Sequence, residues 1–153
     1  MTHSIGMAAQ NDSERLKFEN EVKRIVDAGN AAGLTLRLLG SLAFHQHCPK
    51  YGHLQARMGR AYTDIDFAAY RQQAAQIRKW MPAALGYKED TEVFINSEGA
   101  RMIFEHPGSG LHVDIFVDKL DFCHTIFWNG RLEKDTPTIP LAEMVLEKLQ
   151  IVK

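Results

Sequence analysis

The chain has 153 residues, enough for one domain with a real core and too few for two comfortable ones. Its 45% hydrophobic and 24% charged residues are ordinary globular values, which argues against large-scale disorder. With 18 basic and 19 acidic residues the formal net charge is −1, so no overall field favours nucleic acid or anionic lipid, and any such contact must come from a local patch. Two cysteines, Cys48 and Cys123, form no framework and no CxxC pair, as expected of cytosolic thiols. No apolar run approaches the roughly 20 residues of a membrane span. The expectation is a cytoplasmic, soluble protein with no membrane partner.

The first eleven residues, MTHSIGMAAQN, have no basic start and no apolar core, and are expected to form a flexible lead-in to a domain over 12–153. From Asp12 to about Ala32, Phe18, Val22, Ile25 and Gly29 recur at spacings of three and four, which predicts an amphipathic helix stopped by Gly33. LTLRLLG (34–40) alternates Leu34, Leu36 and Leu38 with Thr35 and Arg37, the pattern of a strand. SLAFHQH then reads as a short helix halted by Pro49. Residues 50–61 read as a polar loop holding Gly52, Arg57, Gly59 and Arg60.

TDIDFAAY (63–70) is the next predicted strand, followed by a helix from Arg71 to about Ala84 that LGY closes. TEVFIN, ARMIFEH and LHVDIFVD are predicted as three short strands, and their turn-rich connections imply antiparallel hairpins. Residues 122–138 hold a turn at WNGR, and IPLAEMVLEKLQIVK reads as a last helix with Pro140 in its first turn. That helix runs to Lys153 without a stop signal. Its apolar stripe implies a homodimer or a missing C-terminal partner segment. The predicted architecture is α/β (α+β): a mixed sheet of about five strands with helices packed on it.

Strand geometry concentrates the chemistry. Side chains two apart face the same way, about 6.5 Å apart along a strand. Asp64, Asp66 and Ala68 therefore share one face, while Ile65, Phe67 and Ala69 share the other and should pack under helices. In LHVDIFVD, Val113, Ile115 and Val117 face one side; His112, Asp114 and Phe116 face the other. If the two strands are neighbours, Asp114 joins Asp64 and Asp66 on one exposed face. Close carboxylates repel, and one rises in pKa unless a cation is present. Mg²⁺, with its preference for oxygen ligands, resolves that repulsion, and Mn²⁺ would serve as well. Solvated strand-edge aspartates are the simpler alternative. Gly40–Ser41 tips the balance. A glycine permits close backbone approach, and a serine at a helix start attracts phosphate oxygens, although the pair also occurs as an ordinary turn and cap.

Strand, Gly-Ser, helix, polar loop, DID on the next strand and VDIFVD on a later one together resemble the nucleotidyltransferase superfamily, whose fold is polymerase-beta-like. The resemblance spans about residues 35–153 and is nearest to its minimal, abortive-infection-toxin and antibiotic-modifying branches. It implies that Gly40 and Ser41 bind the β- and γ-phosphates of an NTP. It further implies that Asp64, Asp66 and Asp114 are catalytic and hold metal, and that Lys148 on the last helix faces the nucleotide phosphates. The implied reaction transfers NMP from the NTP to an acceptor hydroxyl on a small molecule, RNA or protein, with release of pyrophosphate. Two features depart from the family pattern: the long stretch between Ser41 and Asp64, and an end at Lys153 where relatives continue into a helical acceptor-binding part. The second favours an alternative, a binding or regulatory module of toxin–antitoxin type without turnover on its own.

Other residues carry weaker signals. His45, His47, Cys48 and His53 match no strong zinc pattern, and helix-surface histidines are the simpler reading. Arg57 and Arg60 precede the acidic strand and would suit a triphosphate or an acceptor as well as a solvated loop. His112 shares the face of Asp114, and Trp80 and Trp128 are assigned to core or interface.

Overall fold

A computed structural model of the chain describes residues 3–57, 62 and 64–151. Helix α1 (His3–Ala31) begins ahead of the expected Asp12. Its stripe of Phe18, Val22, Ile25 and Val26 is buried, and Gly33, at φ 74°, follows its end. Strand β1 (Arg37–Leu39) is shorter than the alternation of leucines suggested. The N–H of Leu34 is given to the carbonyl of Gly29, and that of Thr35 to Oε1 of Gln73 at 2.8 Å. These donors are satisfied outside the sheet, so the ladder starts later although Leu34 and Leu36 are buried.

Helix α2 (Gly40–His47) follows directly. The stretch after it is not the predicted loop. Residues Pro49–Tyr51 make a 3-10 turn and Gly52–Arg57 form helix α3. Proline at the first turn position pre-sets the backbone, and Gly52 lets the chain pass the His45 ring, whose Nδ1 would lie 2.3 Å from a Cβ there. The side chain of Arg57, and Arg60 altogether, lie outside the described residues.

Strand β2 (Asp64–Ala69) and helix α4 (Arg71–Leu85) fall where expected. Gly86, left-handed at φ 76°, ends α4 by donating to the carbonyls of Met81 and Pro82. The next expected strand is corrected. Strand β3 is Lys88–Asp90, and TEVFIN is helix α5 (Thr91–Asn96). The Asp90 carboxylate accepts from the N–H of Glu92 at 3.1 Å, an N-cap that starts a helical turn where the residue types alone suit a strand. Strands β4 (Arg101–Glu105) and β5 (His112–Val117) form the predicted antiparallel hairpin. A small pair follows, β6 (Lys119–Asp121) with β7 (Thr125–Phe127), and WNGR turns through a bond from the N–H of Arg131 to the carbonyl of Trp128. Helix α6 (Leu141–Ile151) follows.

The main sheet has five strands in the order β1-β2-β5-β4-β3, with β2 parallel to β5 and every other pair antiparallel. This is the mixed α/β sheet expected. Leu38, Ile65, Phe67, Met102, Phe104, Val113, Ile115 and Val117 are fully buried on one face, in a core shared with Ile25, Ile77 and Met81. Because a one-residue slip would turn all of these to the other face, their burial pins the register. Trp128 is also fully buried, its indole N–H donating to the carbonyl of Phe116. No described helix is long and apolar enough to cross a membrane.

Candidate functional site

The register that buries Ile65 and Ile115 sets Asp66 directly beside Asp114 in the parallel β2–β5 pair, with Asp64 beside His112 one pleat earlier. Asp64 is exposed, and Asp66 and Asp114 are half-buried. The three predicted carboxylates thus do share one sheet face. On the other flank of Asp66, β1 ends and the chain turns at Gly40, which adopts φ 80°. A Cβ at Gly40 would lie 2.7 Å from Oδ2 of Asp66. Only glycine allows both the backbone angle and the contact. Ser41 follows in the first turn of α2.

Burial pushes the Asp66 carboxyl up to about 7, helped by the charges of Asp114, Asp64 and Glu147 and opposed by Lys148. Asp114 is clasped by a guanidinium. Arg101, diagonal to it across the β4–β5 pair, donates through Nε to Oδ1 at 2.9 Å and through a second nitrogen to Oδ2. The Arg101 guanidinium also lies over the Phe116 ring, 5.5 Å from its centroid.

Helix α6 reaches the same place. Its apolar residues Leu141, Val145, Leu146 and Leu149 are exposed, while Glu143, Met144 and Glu147 are buried. The exposed apolar stripe is the one the residue pattern implied, and the inward glutamates have fixed partners. Glu143 pairs with Arg131, and Oε2 of Glu147 accepts from the N–H of Gly40 at 3.3 Å. Burial raises the Glu147 carboxyl above its ordinary value. Lys148, predicted to face the site, has its amine 3.7 Å from Oε1 of Glu147 and within electrostatic reach of Asp66.

Gly40, Ser41, Asp64, Asp66, Asp114 and Lys148 are therefore gathered around the β2–β5 edge of the α2 turn. The histidine group is not gathered. His47 bonds Oγ1 of Thr138 at 2.7 Å, and Nε2 of His45 lies 3.7 Å from Glu19. Sequence reasoning missed Arg101 and Glu147. Both act through partners distant in sequence, and a period-3.6 pattern marks Glu147 only as a polar position.

Among the described residues, no three His, Cys, Asp or Glu side chains converge as a ready-made metal cage. The donor chemistry nonetheless suits a hard divalent cation. Carboxylate oxygens lie on one face, and the most buried of them is costly to ionise without added positive charge. Asp64, Asp66 and Asp114 are the residues that would hold such an ion. No protein-family model, curated protein sequence or solved structure matches the chain.

Proposed function

We propose that the chain is a Mg²⁺-dependent nucleotidyltransferase that moves NMP from an NTP to an acceptor hydroxyl. The observation that carries this reading is the in-register pair Asp66–Asp114 with a glycine turn pressed against the Asp66 carboxylate. The resemblance of the motif order to that superfamily supports it. In this reading the acceptor oxygen bonds to the α-phosphorus, the bond to the bridging oxygen breaks, and pyrophosphate leaves. Asp114 receives the acceptor proton, and Asp64 and Asp66 complete the metal set. Bound Mg²⁺ would supply electrostatic stabilisation of the charge that develops on the phosphoryl oxygens. Ser41 and Lys148 would meet the β- and γ-phosphates. Gly40 contributes close approach and not its N–H, which is already given to Glu147.

A second reading has its own support. The Gly40 amide is engaged by Glu147 and Asp114 by Arg101, so two groups that chemistry would use are occupied within the chain. This favours a nucleotidyltransferase-fold binding or regulatory module without turnover on its own. Incubation with Mg²⁺, each of the four labelled NTPs and a cell lysate separates the two. Labelled product with pyrophosphate release supports the enzyme. Nucleotide binding with neither supports the module.

A further inference from the structure

We infer that Glu147 is a positioning residue that clasps the Gly40 turn and holds the Lys148 amine within electrostatic reach of Asp66, an inference that rests for its functional meaning on the nucleotide-binding reading above. Its side chain is the least expected in the site. It lies on α6 between exposed leucines, yet Glu147 is only 4% exposed. An anionic group removed from water this far is retained only where its oxygens are matched by donors or cations.

Here the two oxygens are divided. Oε2 accepts the N–H of Gly40, while Oε1 faces the Lys148 amine. One carboxylate thus links three parts of the site: the turn against which Asp66 is pressed, the helix α6, and the cation that offsets the charge of Asp66. Other contacts of α6, the buried Met144 and the Glu143–Arg131 pair about one helical turn away and the bond from the His124 N–H to Gln150, lie elsewhere on the helix. Without Glu147 the Lys148 side chain loses its nearest anion, and the Gly40 amide loses its acceptor. A carboxylate buried under the turn is not readily displaced by an entering phosphate, so its part is to hold the turn and aim the amine.

The test uses the full chain in four variants, Glu147→Gln, Glu147→Ala, Lys148→Ala and the double Glu147→Gln/Lys148→Ala, with two readouts: hydrogen exchange at the Gly40 amide, and calorimetric titration with ATP in the presence of Mn²⁺. Glu147→Ala should accelerate Gly40 exchange at least ~10-fold. Glu147→Gln keeps an oxygen acceptor but no charge, so it should leave that exchange near wild type and still weaken ATP ~10-fold, an effect absent in the Lys148→Ala background. Unchanged Gly40 exchange in a folded Glu147→Ala variant overturns the clasp. Undiminished ATP affinity in Glu147→Gln, or an equal loss with and without Lys148, overturns the setting of the amine. Should Glu147→Ala not fold, the Glu147→Gln and Lys148→Ala cycle decides alone. A wild type that ignores all four NTPs while its Gly40 amide responds to Glu147→Ala supports the clasp and retires the nucleotide reading.

Discussion

Replacing Asp66 by asparagine should stabilise the protein, and by more as the pH rises from about 4 to about 7. The carboxyl is held at about 7 in the fold against an ordinary value of 3.8, chiefly by burial and then by Asp114, Asp64 and Glu147. Below 3.8 both folded and unfolded chains carry the proton, and Asp66 costs nothing. Between 3.8 and about 7 the folded state keeps a proton that the unfolded state releases, so stability falls as pH rises. Above about 7 both forms are ionised and the full penalty remains. The gap corresponds to roughly 4 kcal/mol at about 1.4 kcal/mol per pH unit. Asparagine has nearly the same shape and no charge. Its advantage over aspartate should therefore grow from near zero at pH 4 to roughly 4 kcal/mol at pH 8, on the order of 10 °C in Tm for a chain of this size. Thermal and urea unfolding followed by circular dichroism, with a chelator present, measures it. An asparagine variant no more stable than wild type at pH 8, or equally stabilised at pH 4 and pH 8, would refute the electrostatic account of this strand.

Two further substitutions probe the neighbours of that carboxylate. Gly40→Ala places a Cβ in a left-handed conformation 2.7 Å from Oδ2 of Asp66, so urea denaturation should show a loss of about 1–2 kcal/mol from the backbone alone, and Mn²⁺ should no longer raise Tm. Arg101→Gln removes the guanidinium from Asp114 and leaves the carboxylates less compensated; the Mn²⁺ concentration giving half of the Tm rise should fall, and an unchanged or higher requirement would count against Asp114 as part of the metal set.

Much of this site is legible in residue order because strand periodicity is a local property. Ile65 and Phe67 alternate with Asp64 and Asp66, and Val113, Ile115 and Val117 alternate with Asp114, so the buried face of each strand decides where the acids point. The helix α4, bounded by Tyr70 and Gly86, is equally local. What escaped the pattern depends on partners far along the chain or on a single cap. Asp90 turns TEVFIN into a helix through one bond to Glu92, which outweighs the strand preference of Val93, Phe94 and Ile95. The inward glutamates of α6 find their partners, Gly40 and Arg131, far back along the chain or in another element, so no local pattern marks them. The Arg101–Asp114 clasp likewise becomes visible only once the β4–β5 register is known.

The most direct test of the account is calorimetric titration of wild type and the Asp64→Asn/Asp66→Asn double variant with each NTP, with and without Mg²⁺. The account predicts binding of at least one NTP by wild type that requires the divalent cation, and loss of that binding in a double variant that remains folded. Failure of wild type to bind any NTP in Mg²⁺, or binding that survives both substitutions, would contradict it.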